Sequence, residues 1–240
     1  MPTPFSSGPV APDPASLPLW PLALLAALLP LAAGLVAMAL SMHLELVPSC
    51  NPFIDGCVSV SRAARHGLPN HIFRSLMIPA ATLQGLVWLL AARWLRGELG
   101  PAASSRWLAP LGLLAAVALV VYASFLGTEG PIYRMLRQYG TVVYYGFTCI
   151  CLLLASGALN RMARAGKLAL PRAVRGVLLT LGLALVTLGI VNAIVAAFFG
   201  AELKGRIENV TEWWASLIFV LGFAALAALW WRQRVRLTLR

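Results

Sequence analysis

The chain has 240 residues, 60% of them apolar, with only 19 basic and 8 acidic residues. A soluble domain carries about a quarter charged residues, so this composition excludes a water-soluble enzyme, a disordered chain and a free nucleic-acid-binding protein. A mean hydropathy of +0.82 is typical of an integral membrane protein. The formal net charge of +11 therefore needs an explanation other than an acidic soluble partner.

Six windows without Asp, Glu, Lys or Arg are long enough to cross a bilayer, which takes roughly 20 apolar residues in a helix. They span 14–44, 75–92, 107–128, 138–160, 176–201 and 213–231. Their apolar residues do not alternate with a period of two, which favours helices over a barrel. The sequence therefore predicts an all-α polytopic membrane protein, a bundle of six transmembrane helices at about 19–44, 72–95, 107–127, 138–160, 174–200 and 210–231.

Around the membrane domain 19–232 we expect a flexible, Pro-rich tail at 1–18 and a basic tail at 233–240. The apolar window after the first tail is longer than the core of a cleavable signal peptide. The one long connection, 45–71, is rich in Pro, Cys and apolar residues. Because long loops are uncommon unless functional or disordered, we predict that it folds against the mouth of the bundle.

Six crossings place both termini on one side of the membrane. That side carries 12 Lys or Arg against two acids, and the other side carries 7 against six acids. Since Lys and Arg concentrate in cytoplasmic segments, both termini are predicted to be cytoplasmic (N-in, C-in). The net charge is then a topology signal, with contact to anionic lipid as a secondary effect.

All three histidines lie on the predicted outer side. Together with a loop carboxylate they contain enough ligands for a catalytic zinc: His43, His66 and His71 with Asp55 or Glu45. However, His66 and His71 are five residues apart with Gly67 and Pro69 between them, so they do not form the i, i+4 pair that places two ligands on one helical face. We therefore expect no metal and no other cofactor. The roles left for the histidines are interfacial capping, contact with a lipid headgroup or, for His71, that of a general base.

The predicted outer loop contains Cys50 and Cys57, with Asn-Pro and Asp-Gly turns between them. On an oxidising face both a disulfide and two free thiols are compatible with this spacing. The neighbouring Ser59 and Ser61 are candidate nucleophiles, but they lie outside any Gly-x-Ser-x-Gly turn. Helix capping is the alternative role for these serines.

Three arginines near this loop, Arg62, Arg65 and Arg74, are candidates to bind a lipid phosphate, because a guanidinium fork matches phosphate oxygens. The alternative is that their side chains snorkel at the membrane interface.

Glu208 and Glu212 are four residues apart and share one face at the start of the last predicted helix, where the helix dipole favours acids. Glu212 lies closer to the hydrocarbon and precedes Trp213 and Trp214, which fit an interfacial aromatic belt. A carboxylate at that depth is a functional candidate. Asn192, in the outer half of the fifth predicted helix, is its candidate partner, or else packs between helices.

In these motifs the chain resembles the Frag/DRAM/Sfk superfamily of membrane proteins, in particular its GPI-anchor lipid-remodelling factors and the N-terminal region of the Cwh-type remodelling proteins. The resemblance covers residues 20–232 and rests on a Cys-containing segment after the first helix, Ser59-Val60-Ser61, Pro69, Phe73-Arg74, Glu212-Trp213 and Trp230-Trp231. The chain departs from the family at Arg137, where relatives tend to have a histidine, and at Cys57 directly after Asp55-Gly56. Its composition and compact loops indicate a bacterial member.

The resemblance implies a protein of the bacterial inner membrane that handles or remodels the acyl chains of a glycolipid, phospholipid or lipid anchor at the outer leaflet. Together with the outward polar residues it suggests catalytic roles for Glu212 and His71. The residues expected to bind the lipid or its headgroup are Arg62, Arg65, Arg74, Ser59, Ser61, Glu208, Trp213 and Asn192. The expected partner is membrane lipid, with a membrane-protein partner as a further possibility.

Two other functions remain open. A non-enzymatic scaffold, sensor or partner subunit is favoured by the lack of a recognisable catalytic signature. A small transporter is disfavoured, because the third to fifth predicted helices carry few polar residues at mid-depth.

Overall fold

A computed structural model describes residues 16–100, 104–168 and 172–238. Within these ranges the chain forms seven α-helices and two short strands, which confirms the predicted all-α class. The helices are α1 (Trp20–His43), α2 (Val60–Ala63), α3 (Gly67–Leu99), α4 (Leu108–Ser124), α5 (Pro131–Arg164), α6 (Arg172–Phe198) and α7 (Ala201–Arg232). The strands are β1 (Ser16–Pro18) and β2 (Arg236–Thr238).

Five helices, α1, α3, α5, α6 and α7, are long and apolar enough to cross a membrane. The remaining large helix, α4, is apolar but has only 17 residues. At 1.5 Å per residue it is about 26 Å long, slightly less than the hydrocarbon core of a bilayer. Five membrane-spanning helices are thus supported by length and composition, and the sixth crossing stays a prediction.

Three of the long helices, α3, α5 and α7, extend beyond the predicted bounds at both ends. α3 begins at Gly67 and α5 at Pro131, several residues before the charge-free windows open. A charge-free window measures the part of a helix that lies in hydrocarbon, whereas the helix continues until the backbone stops it. Glycines with positive φ bound these helices: Gly100 follows α3 and Gly130 precedes α5. Pro131 occupies the first turn of α5, where its missing N–H would have no partner within the helix.

The six large helices form a closed ring in chain order, in which each packs on the next and α7 returns to pack on α1. Close approach requires a glycine at one point, since a Cβ on Gly112 of α4 would overlap the indole of Trp88 on α3. Trp88 in turn packs on Phe223 of α7, with ring centroids 5.3 Å apart. Large side chains therefore fill the ring interior at the level of Trp88.

The chain ends meet at one end of the ring. β1 and β2 pair antiparallel, with Leu17 opposite Leu237, and Arg236 donates a hydrogen bond of 2.7 Å to the carbonyl of Ser16. The tails expected at 1–18 and 233–240 therefore include two short strands. Residues 1–15 and 239–240 of those tails lie outside the described residues.

The connection between α1 and α3 folds over the opposite end of the ring. We call residues 44–66 the cover segment, since α3 begins at Gly67 rather than after 71. Cys50 and Cys57 are joined by a disulfide within it. Ser59 caps α2 by accepting a hydrogen bond from the N–H of Arg62 (3.2 Å), which is the capping role considered for it.

Candidate functional site

A cavity lies inside the ring beneath the cover segment. It is lined by residues of α1, α3, α4, α5 and α7 and by Phe53 and Val60 of the cover segment. Along α7 the lining extends from Glu212 to Val220, about 12 Å at 1.5 Å per residue. Most of the lining is apolar, with Phe73, Met77 and Leu119 among the wall residues.

Polar side chains gather at the end of the cavity next to the cover segment. Glu212 accepts a hydrogen bond at Oε1 from the backbone N–H of Ser61 (3.1 Å). The hydroxyl of Tyr145 bonds with the hydroxyl of Ser216 (2.8 Å) and donates to the backbone carbonyl of Glu212 (3.4 Å). Tyr122 and Thr141 also line this end, which therefore offers several hydroxyls around one carboxylate.

The second carboxylate oxygen of Glu212, Oε2, makes no hydrogen bond within the described residues. Glu212 is half-buried and lines the cavity. Its Oε2 is not one of the fully buried polar atoms without a partner among the described residues, so it remains accessible. Among the described lining residues, Glu212 is the only one with a formal charge. A ligand in the cavity would therefore meet a single negative group with an unused acceptor.

The floor of the cavity is formed by a second polar pair. Gln84 of α3 is 2% exposed, and its Oε1 accepts a hydrogen bond from the hydroxyl of Tyr144 on α5 (3.1 Å). Both side chains line the cavity. The apolar walls are thus bounded by polar groups at both ends, of which only the cover end carries a charge.

The cover segment is held on α7 by side chains that bind its backbone. Four residues of α7 donate hydrogen bonds of 2.8–3.1 Å to carbonyls of the cover segment: Arg206 to Asp55, Asn209 to Gly56, Trp213 to Val58 and Trp214 to Phe53. Gly56 has a φ of +62°, and a Cβ there would overlap the carbonyl of Arg206. The close approach of the cover segment to α7 therefore requires glycine at this position.

A groove on the side of the bundle adjoins the cavity between α1 and the cover segment. Leu35, Phe53 and Trp213 line both spaces, so these side chains form the boundary between them. Phe53 packs on Trp213 and Trp214 with ring centroids 5.4 and 5.5 Å away. Leu35 is 48% exposed on the outer surface of α1. The cavity is thus separated from the lipid-facing side of the bundle by three side chains.

Of the predicted site residues, Glu212 and Trp213 line the cavity, and Ser61 contacts Glu212 through its backbone N–H. The hydroxyls of Ser59 and Ser61 lie 3.1 Å apart, but neither serine lines the cavity. The serines therefore shape the cover segment around Glu212 and are not placed as nucleophiles.

The structure does not bring His71 to the cavity. His71 is exposed and lies two residues before Phe73, which lines the cavity. Two residues correspond to about 200° around a helix, so His71 faces away from the site. Glu208 likewise points to the surface, where its carboxylate lies 3.8 Å from the ammonium of Lys204.

None of the three arginines proposed to bind phosphate lines the cavity. Arg62 is exposed, and neither Arg65 nor Arg74 lines the cavity. Arg65 lies close enough to Glu212 to act on it electrostatically, and its Nε is buried without a hydrogen-bond partner. Of the three, Arg65 is therefore the one associated with the polar end of the cavity.

Asn192 bonds Thr211 rather than Glu212. Its Nδ2 donates a hydrogen bond of 2.6 Å to the hydroxyl of Thr211, which joins α6 to α7. Thr211 precedes Glu212 by one residue, or about 100° around the helix, so it faces α6 while Glu212 faces the cavity. Of the two roles considered for Asn192, this hydrogen bond between α6 and α7 corresponds to packing between helices.

The sequence did not single out the tyrosines of the cavity or Gln84. The signal for Gln84 was present, because it is the only amide in the charge-free window 75–92. The adjacent Tyr144 and Tyr145 were also visible as a polar pair inside an apolar window.

Fold and site together define an all-α, membrane-like helical bundle with an internal, mainly apolar cavity. Within the described ranges, no group of three or more His, Cys, Asp or Glu is arranged to hold a metal ion. Comparisons of the chain with family models, with curated proteins and with solved structures give no match. Membership of the Frag/DRAM/Sfk superfamily therefore stays a prediction.

Proposed function

We propose that this is an integral protein of the bacterial inner membrane that binds a membrane lipid, with an acyl chain in the central cavity, and handles or remodels that lipid at the outer leaflet. The observation that carries the proposal is the cavity itself, which has apolar walls, one charged residue at the cover end and a boundary of three side chains toward the side of the bundle.

The ring and the charges support the proposed orientation in the membrane. α4 takes a place in the ring equivalent to that of the longer helices, which supports six crossings. The pairing of β1 with β2 supports an even number, because it holds both chain ends at one end of the bundle. The excess of Lys and Arg at that end supports a cytoplasmic position for it, with the cover segment on the outer side.

An acyl chain is the occupant that fits the walls. An empty apolar cavity loses dispersion contacts on every lining side chain, and apolar cavities do not fill with ordered water. Hydrocarbon from the surrounding bilayer restores the lost contacts. Because the acyl chain moves from the bilayer into another apolar environment, the hydrophobic effect contributes little to its binding. Specific retention of the lipid therefore depends on packing and on the polar end of the cavity.

The groove beside the cavity supports access from the outer leaflet. Leu35 is exposed on the membrane-facing surface of α1, and Phe53 and Trp213 stand between the groove and the cavity. A lipid chain that displaces these side chains enters without its headgroup leaving the interface. This route suits a protein that acts on lipid of the outer leaflet.

Glu212 is the residue on which a remodelling step would depend. Transfer of an acyl group from an ester or thioester donor onto a hydroxyl breaks the donor's C–O or C–S bond as the new ester bond forms. It requires a base that takes the hydroxyl proton and returns it to the leaving oxygen or sulfur, and hydrogen-bond donors that stabilise the developing oxyanion. The open Oε2 of Glu212 provides the acceptor, and the hydroxyls of Tyr145 and Ser216 lie at the same end of the cavity. His71 is too far around α3 to take part.

The test is the lipid content of the purified protein. We expect mass spectrometry to find tightly bound lipid in the wild type, and Leu217→Trp to displace it because Leu217 lines the cavity. Leu221→Trp is the matched control, since Leu221 lies one turn further along α7 and is 46% exposed. A wild type without bound lipid, or equal lipid in both variants, would contradict the proposal.

A further inference from the structure

The polar end of the cavity has an unusual charge for a lipid site. A phosphate is normally held by Arg or Lys, yet none of the described lining residues is basic, and the one charged group is the carboxylate of Glu212. A phosphate placed inside the cavity would meet a like charge. The group that enters must therefore be something other than a phosphate.

The hydrogen bonds around Glu212 define what that group is. Its Oε1 is occupied by the N–H of Ser61, whereas its Oε2 makes no hydrogen bond within the described residues, and the side chain lines the cavity. A carboxylate accepts hydrogen bonds and donates none. A ligand that offers N–H or O–H groups satisfies Oε2, whereas one that offers only acceptors leaves it unsatisfied.

Arg65 is a cation beside this end that lies outside the cavity. Arg65 acts electrostatically on Glu212, does not line the cavity, and has a buried Nε that lacks a hydrogen-bond partner. Consider a headgroup with a positively charged hydrogen-bond donor inside the cavity and a phosphate outside it. It would place a positive charge next to Glu212 and a negative charge next to Arg65. Building on the proposed lipid-binding function, we propose that Glu212 selects lipids whose headgroup carries hydrogen-bond donors, such as a primary ammonium, with the adjoining phosphate on the side of Arg65.

Two lipids with the same acyl chains isolate this property. Phosphatidylethanolamine and phosphatidylcholine are both zwitterionic, but methylation removes every N–H from the second. We expect the wild type to prefer phosphatidylethanolamine by about tenfold in competition, the effect of one hydrogen bond to a charged group. Native mass spectrometry of the full chain with an equimolar mixture measures this ratio directly.

Glu212→Gln keeps an oxygen for the N–H of Ser61 and removes the charge, so we expect the preference to fall to about threefold or less. Glu208→Gln is the matched control, because Glu208 lies one turn earlier on α7, on the surface, and its loss should leave the preference unchanged. Equal binding of the two lipids by the wild type, or a full preference in Glu212→Gln, would overturn the inference while leaving lipid binding intact. Failure to bind either lipid would instead contradict the proposed function.

Discussion

The side-chain amide of Gln84 on α3 donates a hydrogen bond of 3.2 Å to the backbone carbonyl of Ala26 on α1. Four residues after Ala26 the helix carries Pro30, which has no N–H and cannot form the bond that this carbonyl would normally accept. The proline of one helix thus frees a carbonyl that the amide of another helix satisfies. Because Tyr144 then binds the same amide, this relationship also fixes the floor of the cavity.

Gln84→Leu should lower the free energy of unfolding by about 1–3 kcal/mol, because it leaves the carbonyl of Ala26 and the hydroxyl of Tyr144 without partners in the bundle interior. Pro30→Ala restores the N–H that the carbonyl lacks and should recover part of this loss. We expect the coupling energy between Pro30 and Gln84 to be about 1 kcal/mol. It is measured by unfolding the wild type, both single variants and the double variant in detergent.

Pro79→Ala is the control for this cycle, since Pro79 is exposed on α3. It should not rescue Gln84→Leu. If the effects of Pro30→Ala and Gln84→Leu on the free energy of unfolding were strictly additive, the amide of Gln84 would not be replacing the N–H that Pro30 lacks.

Gly56→Ala should loosen the cover segment. The φ of +62° costs a non-glycine residue about 1 kcal/mol or more, and the new Cβ would also overlap the backbone of Arg206. We expect a lower melting temperature and faster proteolysis between α1 and α3.

Gly205→Ala provides the comparison for Gly56→Ala, because Gly205 lies in α7 with no heavy atom within 4 Å of a new Cβ. Alanine in a helix interior is favoured over glycine by about 1 kcal/mol, so this variant should be unchanged or more stable. Equal effects of the two substitutions would show that Gly56 is not a special position.

Replacing Cys50 and Cys57 by serine should destabilise the protein by about 2 kcal/mol, the loop-closure contribution of a short disulfide loop. The hydrogen bonds from α7 should still hold the cover segment, so the bundle should remain folded. Titration of unfolded protein should find two thiols, Cys149 and Cys151, without reductant and four with it. Four thiols before reduction would mean that the disulfide is not formed.

Leu35→Trp should slow the uptake of labelled lipid from vesicles, because the larger side chain narrows the boundary between the groove and the cavity. Leu28→Trp is matched in chemistry and exposure, 46% against 48% for Leu35, and lies two turns away on the same face of α1, outside the groove. Equal uptake by the two variants would argue against lateral access at this site.

The sequence predicts how deep a residue lies along its helix, but not the direction in which its side chain points. Charge-free windows gave the depth of each helix, and they also gave the position of Glu212 near one end of the last helix. They did not give rotation about the helix axis, which decides that Glu212 faces the cavity, that Thr211 takes Asn192 and that His71 points away. Rotation follows from packing across the ring, between residues far apart in the chain.

The attachment of the cover segment to α7 could not be predicted for a related reason. Its hydrogen bonds join side chains of α7 to backbone carbonyls, as from Trp213 to Val58. A backbone acceptor has no signature in the sequence, because every residue carries one. Pro30 and Gln84 were both visible as exceptions inside apolar windows, but only the ring arrangement shows that they belong together.

The most direct test of an acyl chain in the cavity is photolabelling with a phospholipid that carries a diazirine near the end of one chain, followed by mass spectrometric mapping. The account predicts label on Phe73 and Met77, which line the cavity and are 1% and 8% exposed. Label confined to membrane-facing residues such as Leu113 and Val117, 43% and 59% exposed, would contradict it.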